Sequence, residues 1–182
     1  YSAKDIADCS VGKKKLNKRA AYFMFDDYYA EIGYMDNIRL RNSYVQFGGV
    51  VNFAIIMNTY YTKPNKDLLV KKFASMRLNG HDIVNHSKYH EVPMPQKNSI
   101  ALYYELEQMQ VWADEMHVNP NFFVYNWSGA WIPTANMLEI KGFNCAANSS
   151  GNYSNNMTNK YFLGRINIAD SSSWASLSSI VF

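Results

Sequence analysis

Residues 44–61, Tyr-Val-Gln-Phe-Gly-Gly-Val-Val-Asn-Phe-Ala-Ile-Ile-Met-Asn-Thr-Tyr-Tyr, constrain the fold of this 182-residue chain more than any other stretch. They form its most apolar and β-branched run. The Gly48-Gly49 pair reads as a bulge or tight bend inside a buried strand. A membrane span is excluded, because Asn52 and Asn58 interrupt the run and its apolar part falls far short of the ~20 residues a bilayer requires. The stretch identifies a core and carries no chemistry.

The length suits one domain, residues 1–182, with 1–35 as a helical N-terminal segment. Apolar residues make up 48% of the chain, which places it among globular rather than disordered proteins. Charged residues reach only 18%, below the ~25% usual for soluble domains, while 14 Tyr and 10 Phe raise the aromatic content. A Tyr- and Asn-rich, charge-poor surface suits a protein that buries its outside against a partner. AT-rich coding produces the same composition. The net charge of +3 gives no general polyanion signal.

Ser2 and Asp5 form a capping-box pattern ahead of Ile6 and Cys9, so a short first helix is expected. Leu16, Ala20 and Phe23 share one helical face, and residues 13–32 read as helix. Thr62-Lys63-Pro64 opens the clearest helix, with Leu69, Phe73 and Met76 on its apolar face and Asn79-Gly80 as its stop. Residues 99–117 carry both a helical and an alternating pattern. Length and composition favour helix. From Phe122 onward the texture becomes short extended segments (Phe122–Trp127, Met137–Lys141, Tyr161–Ile168 and Trp174–Phe182) with Ser/Gly/Asn-rich breaks. Early helices and late strands predict an α+β fold, N-terminal helices packed on an antiparallel β-sheet. The alternative is a β-sandwich or jelly roll with a helical N-terminal arm.

Three of the four histidines fall in one short segment, His81, His86 and His90. One helical turn would bring His86 and His90 onto one face, where Asp82 or Glu91 can complete a divalent-metal site. The spacing matches no metalloenzyme signature, and a solvated polar loop is the plain alternative. Lys13, Lys14, Lys15, Lys18 and Arg19 form the one dense basic run, suited to phosphates of nucleic acid or to a solvated face. Tyr125, Trp127 and Trp131 form an aromatic segment that suits a sugar or a protein partner, or else packs into the core. The acids Asp26-Asp27, Asp114-Glu115, Glu105 and Glu107 read as surface carboxylates unless the fold assembles them.

Cys9 and Cys145 are the only cysteines and can form one bridge in an oxidising compartment. The chain begins at Tyr1 without an initiator Met, which reads as a processed start. Asn-x-Ser/Thr sequons occur at Asn85, Asn126, Asn148, Asn152 and Asn156. Together these features lean towards an extracellular, cell-surface or virion location. Without a catalytic signature or cofactor motif, the chain reads as a non-enzymatic assembly subunit of an extracellular surface, filament or virus-like particle. Its partners would be copies of itself or a surface protein. The alternatives are a secreted glycan- or protein-binding module and a metal-dependent enzyme using the His81–His90 loop.

Overall fold

Six short strands lie where two apolar cores meet and form the centre of the computed structural model. It describes residues 1–16, 22–26, 50–62, 64, 66–90, 98–128, 130–149 and 159–165. In chain order the elements are α1 (Ala3–Ser10), β1 (Phe23–Phe25), β2 (Val51–Ile55), α2 (Met57–Tyr61), α3 (Lys66–Leu78), β3 (Asp82–Asn85), α4 (Ser99–Glu115), β4 (Asn119–Val124), a 3-10 turn (Asn126–Ser128), α5 (Ile132–Ile140), β5 (Cys145–Asn148) and β6 (Leu163–Gly164). The strands pair in the order β1-β2-β3-β4-β5-β6, and every pair is parallel. The antiparallel sheet and the jelly roll expected from the sequence are both overturned.

The period of two along each strand explains the mistake. Phe53, Ile55, Ile83, Phe123 and Ala146 point into a large core with Leu69, Phe73 and Met76 of α3, Leu106 and Met109 of α4, and Leu138 of α5. Ala54, Val84, Phe122, Val124, Cys145 and Ala147 point the other way, against Ala3, Ile6 and Ala7 of α1. Both faces are apolar, as parallel sheets require, so no polar alternation marks the strands. In β3 only Ile83 and Val84 are apolar, between Asp82 and Asn85, which left the strand invisible. Parallel pairing also demands a crossover between strands. Helices α2 and α3, then α4, then α5 supply it between β2 and β5.

Several local expectations hold. The Ser2/Asp5 capping box forms. α3 buries Leu69, Phe73 and Met76 and stops at Gly80, whose φ of 86° suits a residue without a Cβ. Residues 99–115 are helical, capped by the Asn98 side chain, which accepts from Ala101 N–H at 2.8 Å. Others are corrected. Within 13–32, the described part is loop and then β1, whose Tyr22 and Met24 lean on the α1-side core while Phe23 stays exposed. Met137–Lys141 is the last part of α5 and its C-cap Lys141, and the buried Thr134, Ala135 and Leu138 make a helical stripe behind Pro133. Of Tyr161–Ile168 only Leu163–Gly164 is strand among the described residues. Gly48-Gly49 and Trp174–Phe182 lie outside the described residues.

α1 is anchored through its amino end. Ala3 N–H donates to Asn52 Oδ1 at 2.6 Å and Lys4 N–H to Asp82 Oδ2 at 2.8 Å. With Ser2 Oγ receiving Asp5 N–H, three of the orphan donors of a helix start are satisfied by named side chains. Asn52 also donates to the Phe23 carbonyl at 2.9 Å, joining β2, β1 and α1.

Candidate active site

Open parallel sheets present their ligand sites outside the carboxyl ends of the strands. At that end Asp26 follows β1, His86 follows β3, Trp127 follows β4, Ser149 follows β5 and Arg165 follows β6.

His86 leaves β3 still in the ladder, donating its N–H to the Ile55 carbonyl at 2.9 Å. The chain then turns sharply. Ser87 has φ 67° and His90 has φ 57°, both in the left-handed region, and Ser87 Oγ accepts from His90 N–H at 3.0 Å. Backbone N–H groups of Met57 and Asn58 at the start of α2 donate to the Ser87 and Lys88 carbonyls. The buried Glu105 of α4 accepts from Lys88 N–H at 3.1 Å. The loop is thus clamped from two helices. It places the His86 and His90 rings 4.8 Å apart by centroid, without the helical turn expected from their spacing.

His86 Nδ1 lies 3.0 Å from the Val124 carbonyl oxygen. A carbonyl only accepts, so Nδ1 carries the proton and Nε2 the lone pair, the arrangement in which a second-shell oxygen orients a metal-binding imidazole. The pair fits two ligand positions for a borderline-soft divalent cation. Among the described residues no group of three or more His, Cys, Asp or Glu side chains is arranged to hold a metal. Asp27 and Glu91 lie outside the described residues.

Asp26 is gripped by a residue 139 positions away. Arg165 donates from Nη1 to Oδ1 at 2.6 Å and from Nη2 to Oδ2 at 2.8 Å, and Nη2 also reaches Ser149 Oγ at 3.0 Å. Such a two-pronged pair fixes a carboxylate's plane as well as its position. β1 and β6 are the two edges of the sheet, so this contact also shows that the sheet curls until its edges meet at the carboxyl end.

Other residues singled out from the sequence fall elsewhere. His81 precedes β3, five extended residues from His86 and so about 16 Å away. Its Nδ1 accepts from Val51 N–H at 3.1 Å, and burial pushes its pKa down. Asp82 is spent on structure: it receives Lys4 N–H, Asn119 Nδ2 and Ile83 N–H, and Arg77 lies 3.4 Å away. Burial pushes its pKa up against those donors. A cavity of about 450 Å³ opens at this amino end beside Lys4, Arg77, His81 and His117, away from the His86–His90 pair. Tyr125 is buried against Phe123 and Phe162, a core residue rather than a binding surface. Trp127 and Trp131 are exposed.

Lys13, Lys14 and Lys15 are exposed on a loop, with Lys14 paired to Asp5 at 2.5 Å, whereas Lys18 and Arg19 lie outside the described residues. Cys9 and Cys145 are both free thiols. The sequons at Asn85 and Asn126 are buried, so the folded chain offers neither to a glycosyltransferase. Arg165 went unnoticed in the sequence, since nothing local in Leu-Gly-Arg-Ile marks a partner for Asp26.

No protein-family model matches the chain, and no curated protein matches its sequence. Solved structures do share its fold. A Streptococcus pyogenes deacetylase, PplD, in complex with acetate superposes with a TM-score of 0.81 at 13% identity, over 100% of this chain and 80% of that one. A de-N-acetylase from Aggregatibacter actinomycetemcomitans gives 0.77 at 14% identity, over 98% and 81%. A family 4 acetyl xylan esterase from Clostridium thermocellum in complex with a cobalt ion gives 0.52 at 16% identity, over 70% and 57%. The parallel, curled six-strand sheet is the fold of these deacetylases and family 4 carbohydrate esterases. That finding overturns the expectation of a non-enzymatic capsid, filament or surface subunit, because the solved structures that share this fold are named as deacetylases and an esterase.

Proposed function

We propose that this chain is a metal-dependent hydrolase that removes acetyl groups from a carbohydrate. The observation that carries the reading is the carboxyl end of one parallel sheet, which holds an imidazole pair, with the tautomer of His86 fixed, and a carboxylate gripped by a guanidinium. The solved neighbours supply the chemical class: they are named as deacetylases and an acetyl xylan esterase, one bound to acetate and one to cobalt.

His86 and His90 would hold a divalent cation such as zinc or cobalt. Bound there, such a cation acts as a Lewis acid toward an acyl carbonyl. Asp26 takes the proton from the attacking water. Arg165 uses one lone pair on each carboxylate oxygen, and a second remains on each to accept that proton. The water oxygen bonds to the acyl carbon, the bond from that carbon to the sugar nitrogen or oxygen breaks, and acetate departs. The proton held by Asp26 is the one that the leaving amine or alcohol needs. An acetylated polysaccharide as substrate accords with a site of action outside the cytoplasm, which cell fractionation tests.

The deciding experiment strips the protein with EDTA, reloads it with zinc or cobalt, and follows acetate release from 4-nitrophenyl acetate and from acetylated oligosaccharides. Activity should vanish on stripping and return on reloading. Asp26→Asn should keep the metal and lose about a hundredfold to ten-thousandfold in kcat. His86→Ala and His90→Ala should lose metal content itself, and the same measurement on Asp27→Asn and Glu91→Gln seeks a third ligand. A reloaded wild-type protein that hydrolyses neither substrate sinks the reading.

A further inference from the structure

Trp127 is exposed and yet held in place. The residue is 64% accessible, whereas Trp112 is buried in the main core. Exposure of so large an apolar ring costs hydrophobic free energy, and an exposed ring with no constraint would move among rotamers. Here the backbone sits at φ 53°, in the left-handed region. The indole Nε1–H donates to the His90 carbonyl at 3.2 Å, and the indole and imidazole centroids lie 5.3 Å apart at 40°. His90 in turn lies 4.8 Å from His86. Three rings in succession therefore run from the proposed metal ligands to an indole whose face is open and whose edge is bonded. Rigid aromatics of this kind present contact area at low entropic cost, because little freedom is left to lose on binding.

We infer that Trp127 is the sugar-binding platform of this site, stacking its indole face against a pyranose ring of the acetylated substrate. The inference rests on the carbohydrate-hydrolase reading above and names how the substrate is held. The apolar C–H face of a pyranose matches a flat aromatic surface, and its hydroxyl rim stays in water. A ring on Trp127 lies one side chain away from His90, so its acetyl group is delivered next to the proposed hydrolytic centre. The exposed Trp131 and Ile132 follow at the start of α5 and extend the apolar rim, which suits an oligomeric substrate over a monosaccharide.

Two substitutions separate this role from a purely positional one. Trp127→Phe and Trp127→Ala both delete the N–H that reaches His90, and only the alanine deletes the platform. Binding of an N-acetylglucosamine tetramer and of acetylated xylotetraose to zinc-loaded protein is measured by calorimetry, with circular dichroism to verify the fold. For whichever saccharide the wild type binds, the phenylalanine variant should stay within about threefold of its affinity and the alanine variant should weaken by about tenfold or more. In the wild type the bound saccharide should also shield exposed indole from acrylamide quenching, a readout that needs no variant.

Alanine binding at wild-type strength overturns the platform. So does phenylalanine as weak as alanine, since the lost N–H then accounts for the effect. A wild type that hydrolyses 4-nitrophenyl acetate and binds neither saccharide also overturns it, with the hydrolase reading intact. A wild type that binds saccharide through Trp127 and hydrolyses nothing upholds the platform and removes the hydrolase.

Discussion

His81 and His86 show how far apart two neighbouring histidines can be in role. His86 closes β3 at the carboxyl end and faces His90, and His81 opens the strand at the other end as an acceptor for Val51 N–H. Burial lowers the pKa of His81 below its ordinary value near 6.5. A group with a depressed folded pKa contributes stability that is present above the unfolded pKa and lost as pH falls through the folded one. Urea midpoints should therefore fall as the pH drops below about 6.5, and His81→Gln should flatten that fall relative to wild type. Asp82, in the same cavity wall, has a raised pKa and the opposite slope, but it is present in both proteins and cancels in the comparison.

The cysteines offer a second test at this scale. Burial pushes the Cys145 thiol up to about 12, whereas Cys9 is only half-buried. Iodoacetamide at pH 8 should label Cys9 in the native protein and reach Cys145 only in denaturant, as read by peptide mass spectrometry. Early native labelling of Cys145 would contradict the packing of β5 under α1.

At the scale of elements, α1 depends on two polar side chains that belong to strands. Asn52 and Asp82 satisfy the Ala3 and Lys4 N–H groups, and Asn52 also holds the Phe23 carbonyl of β1. Asn52→Ala leaves these buried groups without their partner and should cost roughly 1–3 kcal/mol in urea denaturation. The exposed Leu78→Ala at the end of α3 is the control and should change little. Three helices were legible in the sequence, α1 by the Ser2/Asp5 box, α3 by its Pro64 entry and Gly80 exit, and α4 by its length and composition, whereas α2 fell inside the apolar strand run and α5 read as extended. β1 and β3 carried no such marks, since three and four residues are too short for a period to register.

For the whole molecule, the sheet's parallel order gathers the candidate site. β1 and β6 end beside one another through Asp26 and Arg165, while the strands between them bring His86, Trp127 and Ser149 to the same end. A cation bound to His86 and His90 in the folded state alone should raise the melting temperature. At a hundredfold excess over Kd the added stability is about 2.7 kcal/mol. EDTA should reverse the rise, and His86→Ala should abolish it. A melting temperature indifferent to zinc and cobalt would remove the metal from the proposal.

By itself the sequence determined those features written in a few consecutive residues: three of the helices with their ends, the apolar run that became β2, and the nearness of His86 to His90. Caps, stops and helical stripes act over one or two turns, and so they can be read one segment at a time. Tertiary structure decided the rest. The direction of strand pairing turns on which crossovers lie between strands and on burial of both faces, neither of which a single segment records. The meeting of Asp26 with Arg165, 139 positions apart, follows from closing the chain around a curled parallel sheet, and the separation of His81 from His86 from the extension of β3 between them. The free energy of that closure comes from two cores that exist only once all six strands are in place.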